Sequence, residues 1–390
     1  MSRPLLRSRP AVALAASALA ASLLAACGAG EKVAPVSAEA TSAGAAGVQQ
    51  AKESMAGWAK TPEWPKVAPI GKPVDLTGKK FTFVSLGDQI PVIHAVGVGV
   101  TEALGAAGAT VKICDGKFNP TAVADCLKAA GDEKVDGVIS AFVDYQMAGP
   151  AFDALAAKGV KVIVGGVAPS GGRKADSNLA FYDNTPRVFA LHKAMSEAAV
   201  AQGGPSTNVL WLRLMDSTTT TDAGAQGVAK FKSLCPSCGV AETEFTTANI
   251  DKLATSVSAA LVSNPDTNAV IVPVDSFVPP VLQGIQSAKF AGKVKIISAS
   301  SDLAGLQRVK DGQQAVDLGT PVLFEGWKFA NAMVQLMAGQ EVEKGADFVT
   351  RAFTKENVGG LTLDDKTYLT DDWFGNGSYK QSFLAAWGAK

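Results

Sequence analysis

Histidine is nearly absent: among 390 residues there are two, His94 and His192, far apart in sequence on segments that read as helices. Neither has a second ligand at metal-binding spacing, so a structural or surface role is expected for both, and no metal is expected. The sequence lacks a nucleophile elbow, a P-loop and any paired metal-ligand motif, which argues against an enzyme, and no cofactor is expected. Gly97 and Gly99 follow a strand region but fall inside a helix, where a dinucleotide fingerprint needs a tight strand-to-helix turn. A dominant charge sign is missing too. The 36 basic residues balance 36 acidic ones, without the basic face that nucleic acid requires. Beyond the first thirty residues no long apolar run occurs, so no membrane-spanning helix is expected.

What is present starts at the N-terminus. Met1 to Pro10 carries Arg3, Arg7 and Arg9 and no acid, and Ala11 to Ala26 is an unbroken run of apolar and small residues closed by Leu24-Ala25-Ala26-Cys27. This is the pattern of a secretory signal peptide over residues 1–26. The small residues before the cysteine resemble a bacterial lipobox, which implies cleavage before Cys27, acylation of its thiol and anchoring of the remaining chain to the outer side of the cell membrane. Each buried acyl methylene contributes roughly 0.8 kcal/mol, so two or three chains hold a soluble domain firmly. Loss of the three arginines leaves a mature net charge of about −3.

Setting Cys27 aside leaves Cys114, Cys126, Cys235 and Cys238, and an even number outside the cytoplasm reads as disulfides. Cys114 and Cys126 flank a loop and a helix start, whereas Cys235-Pro236-Ser237-Cys238 lies between a helix and a strand. A redox Cys-x-x-Cys wants the reverse order, a strand followed by a helix whose dipole lowers the thiol pKa. A structural clip is therefore preferred to a redox or metal site.

Residues 27–78 read as a lipidated N-terminus and flexible tether, rich in Ala, Gly, Ser, Glu and Lys, with a short helical stretch around Val48 to Trp58. Trp58, Pro62, Trp64, Pro65, Pro69 and Pro73 make an extended approach that lies against the body. After Lys80 short apolar strands alternate with helices: Phe81 to Ser85, Thr110 to Ile113, Val135 to Ser140, Val160 to Val164 and Leu179 to Phe181 are strands. The pattern then repeats with strands at Asn208 to Leu212, Ala241 to Phe245, Val270 to Val274, Val294 to Ile297 and Ala315 to Leu318. Repeated βα units build parallel sheets covered by helices on both faces, an α/β class of fold.

Several segments carry a resemblance. They are Lys79-Lys80-Phe81-Thr82-Phe83-Val84, Val135-Asp136-Gly137-Val138-Ile139, Asp183-Asn184 and Asn264-Pro265-Asp266-Thr267-Asn268-Ala269-Val270-Ile271. In order and spacing the chain resembles the type I periplasmic binding proteins of the ribose and sugar-receptor class. That resemblance implies a two-lobed fold with three crossovers between lobes. Lobe 1 is expected over 79–182 and 322–345, and lobe 2 over 185–319 and 350–390. It further implies a monomer that binds a small molecule and hands it to the permease of an ABC importer. A receptor that reports to a membrane signalling partner is the alternative.

Open α/β sheets bind ligands beyond the carboxyl ends of their strands. On those loops the candidate polar contacts are Gln89, Asp144, Tyr145, Gln146, Asp216, Thr218, Asp222, Asp275 and Ser300, and the candidate stacking rings are Phe142, Tyr145 and Phe277. Phe142 also reads as strand core, and Asp144 and Asp275 as helix caps. Sugar-binding members place more charged and amide side chains here. This chain has Gly165-Gly166-Val167 where an Asp-Arg pair is common, Val274 before Asp275, Ser300-Ser301 for an Asp-Gly, and Gly319 for a glutamine. An unpaired buried hydroxyl costs roughly 1–3 kcal/mol, so these losses point to a ligand less polar than a simple sugar.

Overall fold

The structure, a computed structural model, describes residues 38–389, with side chains from residue 44 onward. The expected signal peptide and Cys27 lie outside the described residues. Helix α1 (Ala38–Trp58) is followed by an irregular stretch and then by strands β1 (Lys80–Ser85), β2 (Thr110–Asp115), β3 (Gly137–Ala141), β4 (Lys161–Gly165) and β5 (Leu179–Tyr182). These five are parallel, in the order β2-β1-β3-β4-β5. Helices α2 (Pro91–Ala106), α3 (Pro120–Asp132) and α4 (Tyr145–Ala157) connect the first four. Every residue of β3 is buried, as a parallel sheet covered on both faces requires. Asn119 starts α3 by accepting from the backbone of Thr121 and Ala122, with Pro120 in the first turn.

The second sheet repeats the plan. Helix α5 (Thr185–Gly203) leads to β6 (Val209–Leu214), α6 (Thr218–Leu234), β7 (Val240–Phe245), α7 (Leu253–Ser263), β8 (Ala269–Ile271), α8 (Val278–Ser287), β9 (Lys295–Ser300), α9 (Leu303–Lys310) and β10 (Val316–Gly319). Helix α10 (Val322–Met337) follows, then β11 (Arg351–Phe353), the single-turn helices α11 (Lys355–Val358) and α12 (Asp365–Tyr368), and α13 (Tyr379–Trp387). The order is β11-β10-β9-β8-β6-β7, parallel except for the antiparallel edge strand β11. Without that edge the strands run in the same relative order as in the first sheet.

The chain passes between the sheets three times. It leaves β5 for α5, which packs with the core of the second sheet, returns from β10 to α10, which packs on the first, and crosses again between α10 and β11. The crossings lie side by side: the Gly345 amide donates to Asp183 O at 2.8 Å, and the Thr350 hydroxyl to Gly319 O at 2.8 Å. Helix α10 is buried from Val322 to Leu336. Its close approach to α2 runs through Gly99 and Gly326, since a Cβ on Gly326 would lie 2.5 Å from Val96 O and 2.7 Å from Gly99 Cα. The small residues of α2 are thus a helix-packing surface.

The tether reading of 27–78 needs correction where that span is described. Helix α1 docks on α5 and α6 with Ala51 and Met55 in the core of the second lobe. A Cβ on Gly47 would lie 1.9 Å from Leu234 O, so only glycine permits this approach. Its alanine-rich surface has little amphipathic signal, and close backbone contact replaces large apolar side chains. Ile70 and Leu76 enter the core of the first lobe. The expected placement of 350–390 in lobe 2 also changes: β11 and the following turns pack there, but Tyr379, Phe383 and Trp387 of α13 belong to the core of the first lobe.

The four cysteines form the disulfides Cys114–Cys126 and Cys235–Cys238. Both histidines have structural contacts. His94 Nδ1 lies 3.0 Å from Asp88 Oδ2, and buried His192 bonds Val188 O, its pKa lowered by burial to about 4. Among the described residues no helix is long and apolar enough to cross a membrane, and no cluster suits a metal ion.

Candidate functional site

In each sheet the strand order reverses beside the first strand, between β1 and β3 and between β6 and β8. The loops beyond these strand ends are where an open α/β sheet receives a ligand. Three pieces of the chain meet between the lobes there. Thr219, in the first turn of α6, accepts from Ala168 N of the loop after β4 at 3.3 Å, and its hydroxyl lies 3.4 Å from that of Thr185 at the start of α5. Ser217 caps α6 in a reciprocal box with Thr220, which turns Thr219 inward and leaves Thr218 exposed.

Deeper in the seam, Asn184 at the first crossing donates through Nδ2 to Glu325 Oε1 on α10 at 2.7 Å. Arg187 Nε stands 3.4 Å from Glu325 Oε2, within ion-pair range but out of line for a hydrogen bond. Asn184 Oδ1 and Arg187 Nε are buried without hydrogen-bond partners among the described residues. Buried polar groups normally find partners, so this seam can accept a polar ligand atom or water. Asp183-Asn184 already stood out in the sequence, and Thr219 is the chain neighbour of the candidate Thr218. Arg187 and Glu325 gave no signal, because their pairing depends on how two lobes meet.

The candidates from the sequence divide. Gln89 is exposed on the β1–α2 turn, Gln146 is exposed at the start of α4, and Thr218 and Asp222 are exposed on the first turns of α6. Asp144 caps α4, accepting from Gln146 N at 2.9 Å and from the Ser170 hydroxyl at 2.5 Å. It therefore ties the β3 and β4 loops together. Asp216 does the same for lobe 2, accepting from Thr247 N at 2.9 Å and from its hydroxyl. Phe142 leaves its strand with φ of 63° and packs on Phe329, ring centroids 5.9 Å apart. The bare backbone of Gly166 makes room, since a Cβ there would meet the Phe142 ring at 2.6 Å.

Three candidates turn away from the seam. Tyr145 is 8% exposed, packs between Phe152 and Phe181, and donates to Asp153 Oδ2 at 2.6 Å. Phe277 meets Phe245 edge-on at 5.1 Å in the core of lobe 2. Asp275 is fully buried: it accepts from the Ser298 hydroxyl and from Asp302 N at 3.0 Å, and its carbonyl takes Arg308 Nη2 at 3.1 Å. Instead of capping its own helix, it joins the β8 and β9 loops. A Cβ on Gly305 would lie 2.5 Å from Asp275 Oδ2 and 2.6 Å from Asp317 Oδ2, so the two carboxyls face one another. Burial, followed by the charge of Asp317, holds the Asp275 carboxyl well above its usual range, while burial raises Asp302 and Asp317 to about 6. Ser300 ends β9 with φ of 111° and is buried beside this network. Gly319 is packed against Ser301, Phe353 and Phe374, which leaves no room for a longer side chain.

Two sheets of like parallel order, apart from the antiparallel edge β11, are joined by three crossings and meet along a polar seam at their strand ends, which is the architecture of a two-lobed binding protein. Residues 81–341 match the periplasmic binding protein domain, and the chain belongs to that family. No curated protein matches it in sequence. Among solved structures it is similar to the 5-methylthioribose transporter solute binding protein of Thermotoga lettingae, at TM-score 0.65 and 15% identity over 83% of this chain and 100% of that one. The Caulobacter myo-inositol binding protein gives TM-score 0.61 and 18% identity over 76% and 98% of the two chains. An ABC transporter periplasmic solute binding protein of Actinobacillus succinogenes with bound D-allose gives 0.60 and 16% over 73% and 100%. All three are solute-binding proteins rather than enzymes, the first and the third of transporters, and family membership places the chain outside the cytoplasm.

Proposed function

We propose that the protein is a lipid-anchored receptor that captures a small molecule between its lobes and delivers it to the permease of an ABC importer. The observation that carries this reading is the seam, where Thr219 meets Ala168 across the lobes above the buried Asn184 and Glu325 and the partly buried Arg187. A ligand that contacts both lobes favours the closed arrangement by its differential affinity. The solved relatives hold 5-methylthioribose, myo-inositol and D-allose, but at such low identity they speak for fold alone. The ligand class rests on this chain's own loops. With glycine at 165, 166 and 319, and Asp275 committed to an internal network, the cleft offers fewer charged forks than a densely hydroxylated ring needs, and supports a less polar ligand. Cys27 supplies the anchor, and the protein acts as a monomer.

A thermal-shift screen of residues 31–390 against sugars, polyols, nucleosides, amino acids and small apolar carbonyl compounds tests the reading. A ligand at a hundred times its dissociation constant stabilises by about 2.7 kcal/mol. One class of hits is expected; tight binding of an unmodified aldose would overturn the polarity assignment. Retention of the wild type in membranes and release of Cys27→Ser tests the anchor. Capture of the cognate permease, as opposed to a signalling protein, separates transport from sensing.

A further inference from the structure

Besides the three crossings, both ends of the described chain span the two lobes. Helix α1 packs on α5 and α6 of lobe 2, the chain then runs through Trp64, and Ile70 and Leu76 enter lobe 1. At the other end Val358, Trp373 and Phe374 pack with Leu306 and Val309 of α9 in lobe 2, before α13 enters lobe 1. The two runs hold each other. Trp64 Nε1 donates to Asn376 O at 2.6 Å, Ile70 N to Ala386 O at 2.9 Å, and Asn357 Nδ2 to Ala59 O at 3.4 Å. The Trp64 ring packs on Tyr379 at 4.5 Å and on Phe324 at 5.2 Å. Asp371 accepts from Leu323 N at 3.3 Å and Phe324 N at 2.8 Å at the start of α10, just after the second crossing, and also from Tyr379 OH at 2.9 Å.

We infer that these two terminal straps, pinned at Trp64 and Tyr379, form a brake on lobe opening that sets the ratio of closed to open protein before any ligand arrives. Because the two ends of each strap are buried in different lobes, rotation about the crossings has to be taken up within the straps. Opening must therefore stretch the irregular stretch 59–69 or strip Trp64 from its aromatic neighbours. A receptor held near its closed arrangement gains apparent affinity in proportion to the competent fraction.

The test measures the distance between spin labels carried on unnatural ketone side chains at Lys158 in lobe 1 and Val262 in lobe 2, which leaves both disulfides intact. Without ligand, the wild type is expected to give a narrow distribution. Trp64→Ala is expected to add a longer-distance population several-fold larger than in the wild type, with unchanged circular dichroism. A folded Trp64→Ala protein with the wild-type distribution would overturn the inference. Should that variant not fold, Trp64→Phe, which loses the bond to Asn376, and Tyr379→Phe, which loses the bond to Asp371, decide the matter: broadening supports the brake, and distributions identical to wild type overturn it. The readout needs no ligand, so it stands apart from the identity of the bound molecule.

Discussion

Asp275, Asp302 and Asp317 share one buried pocket with Arg308, and their protons make the stability of lobe 2 depend on pH. In the unfolded chain an aspartate loses its proton near pH ~4. Burial keeps Asp302 and Asp317 protonated up to about 6 in the folded protein. Between these values the folded state binds more protons than the unfolded one, so stability is greatest at the acid side and is lost as pH rises through about 6. Asp317→Asn removes one such group and should reduce the fall between pH 4 and pH 7 by about 2 kcal/mol, measured as urea midpoints across that range. Asn184→Ala withdraws a donor from buried Glu325 and should cost about 1–3 kcal/mol, read as a lower melting temperature. At this scale the sequence located strand-end loops correctly but could not say which side chains face the seam. Asp275, Tyr145 and Phe277 were attractive because of where they fall in the chain, yet one residue of rotation turns each into the interior.

The elements were far more legible. Buried strands such as Gly137–Ala141 and Lys161–Gly165 announce themselves as short β-branched runs between helices. Helix α1 was read only over its second half, Val48 to Trp58, and the C-terminal strap not at all, because α1 packs through small residues and β11, α11 and α12 are too short to show a period. Close packing of this kind has a measurable cost when it is disturbed. Gly326→Ala places a methyl against the backbone of α2 and should destabilise by about 1–3 kcal/mol, seen as a lower denaturant midpoint with an unchanged slope. The two disulfides should differ as well. Cys114–Cys126 closes a 12-residue separation and Cys235–Cys238 one of three. On chain-entropy grounds, loss of the first, as Cys114→Ser with Cys126→Ser, should cost about 3 kcal/mol and loss of the second under about 2 kcal/mol.

For the whole molecule, burial places the deepest expected stability in α10, which is buried from Val322 to Leu336 and joins the second crossing to the core of lobe 1. In native-state hydrogen exchange its amides should be among the last to exchange, whereas the exposed turn at Gln89 should exchange within the dead time. The two lobes share one strand order, so the molecule is built nearly as a pair of alike halves. The straps break that likeness: α1 covers lobe 2 alone and α13 covers lobe 1 alone. A partner that grips both halves at once therefore meets a left hand and a right hand, and only one way of seating the protein brings each to its own side.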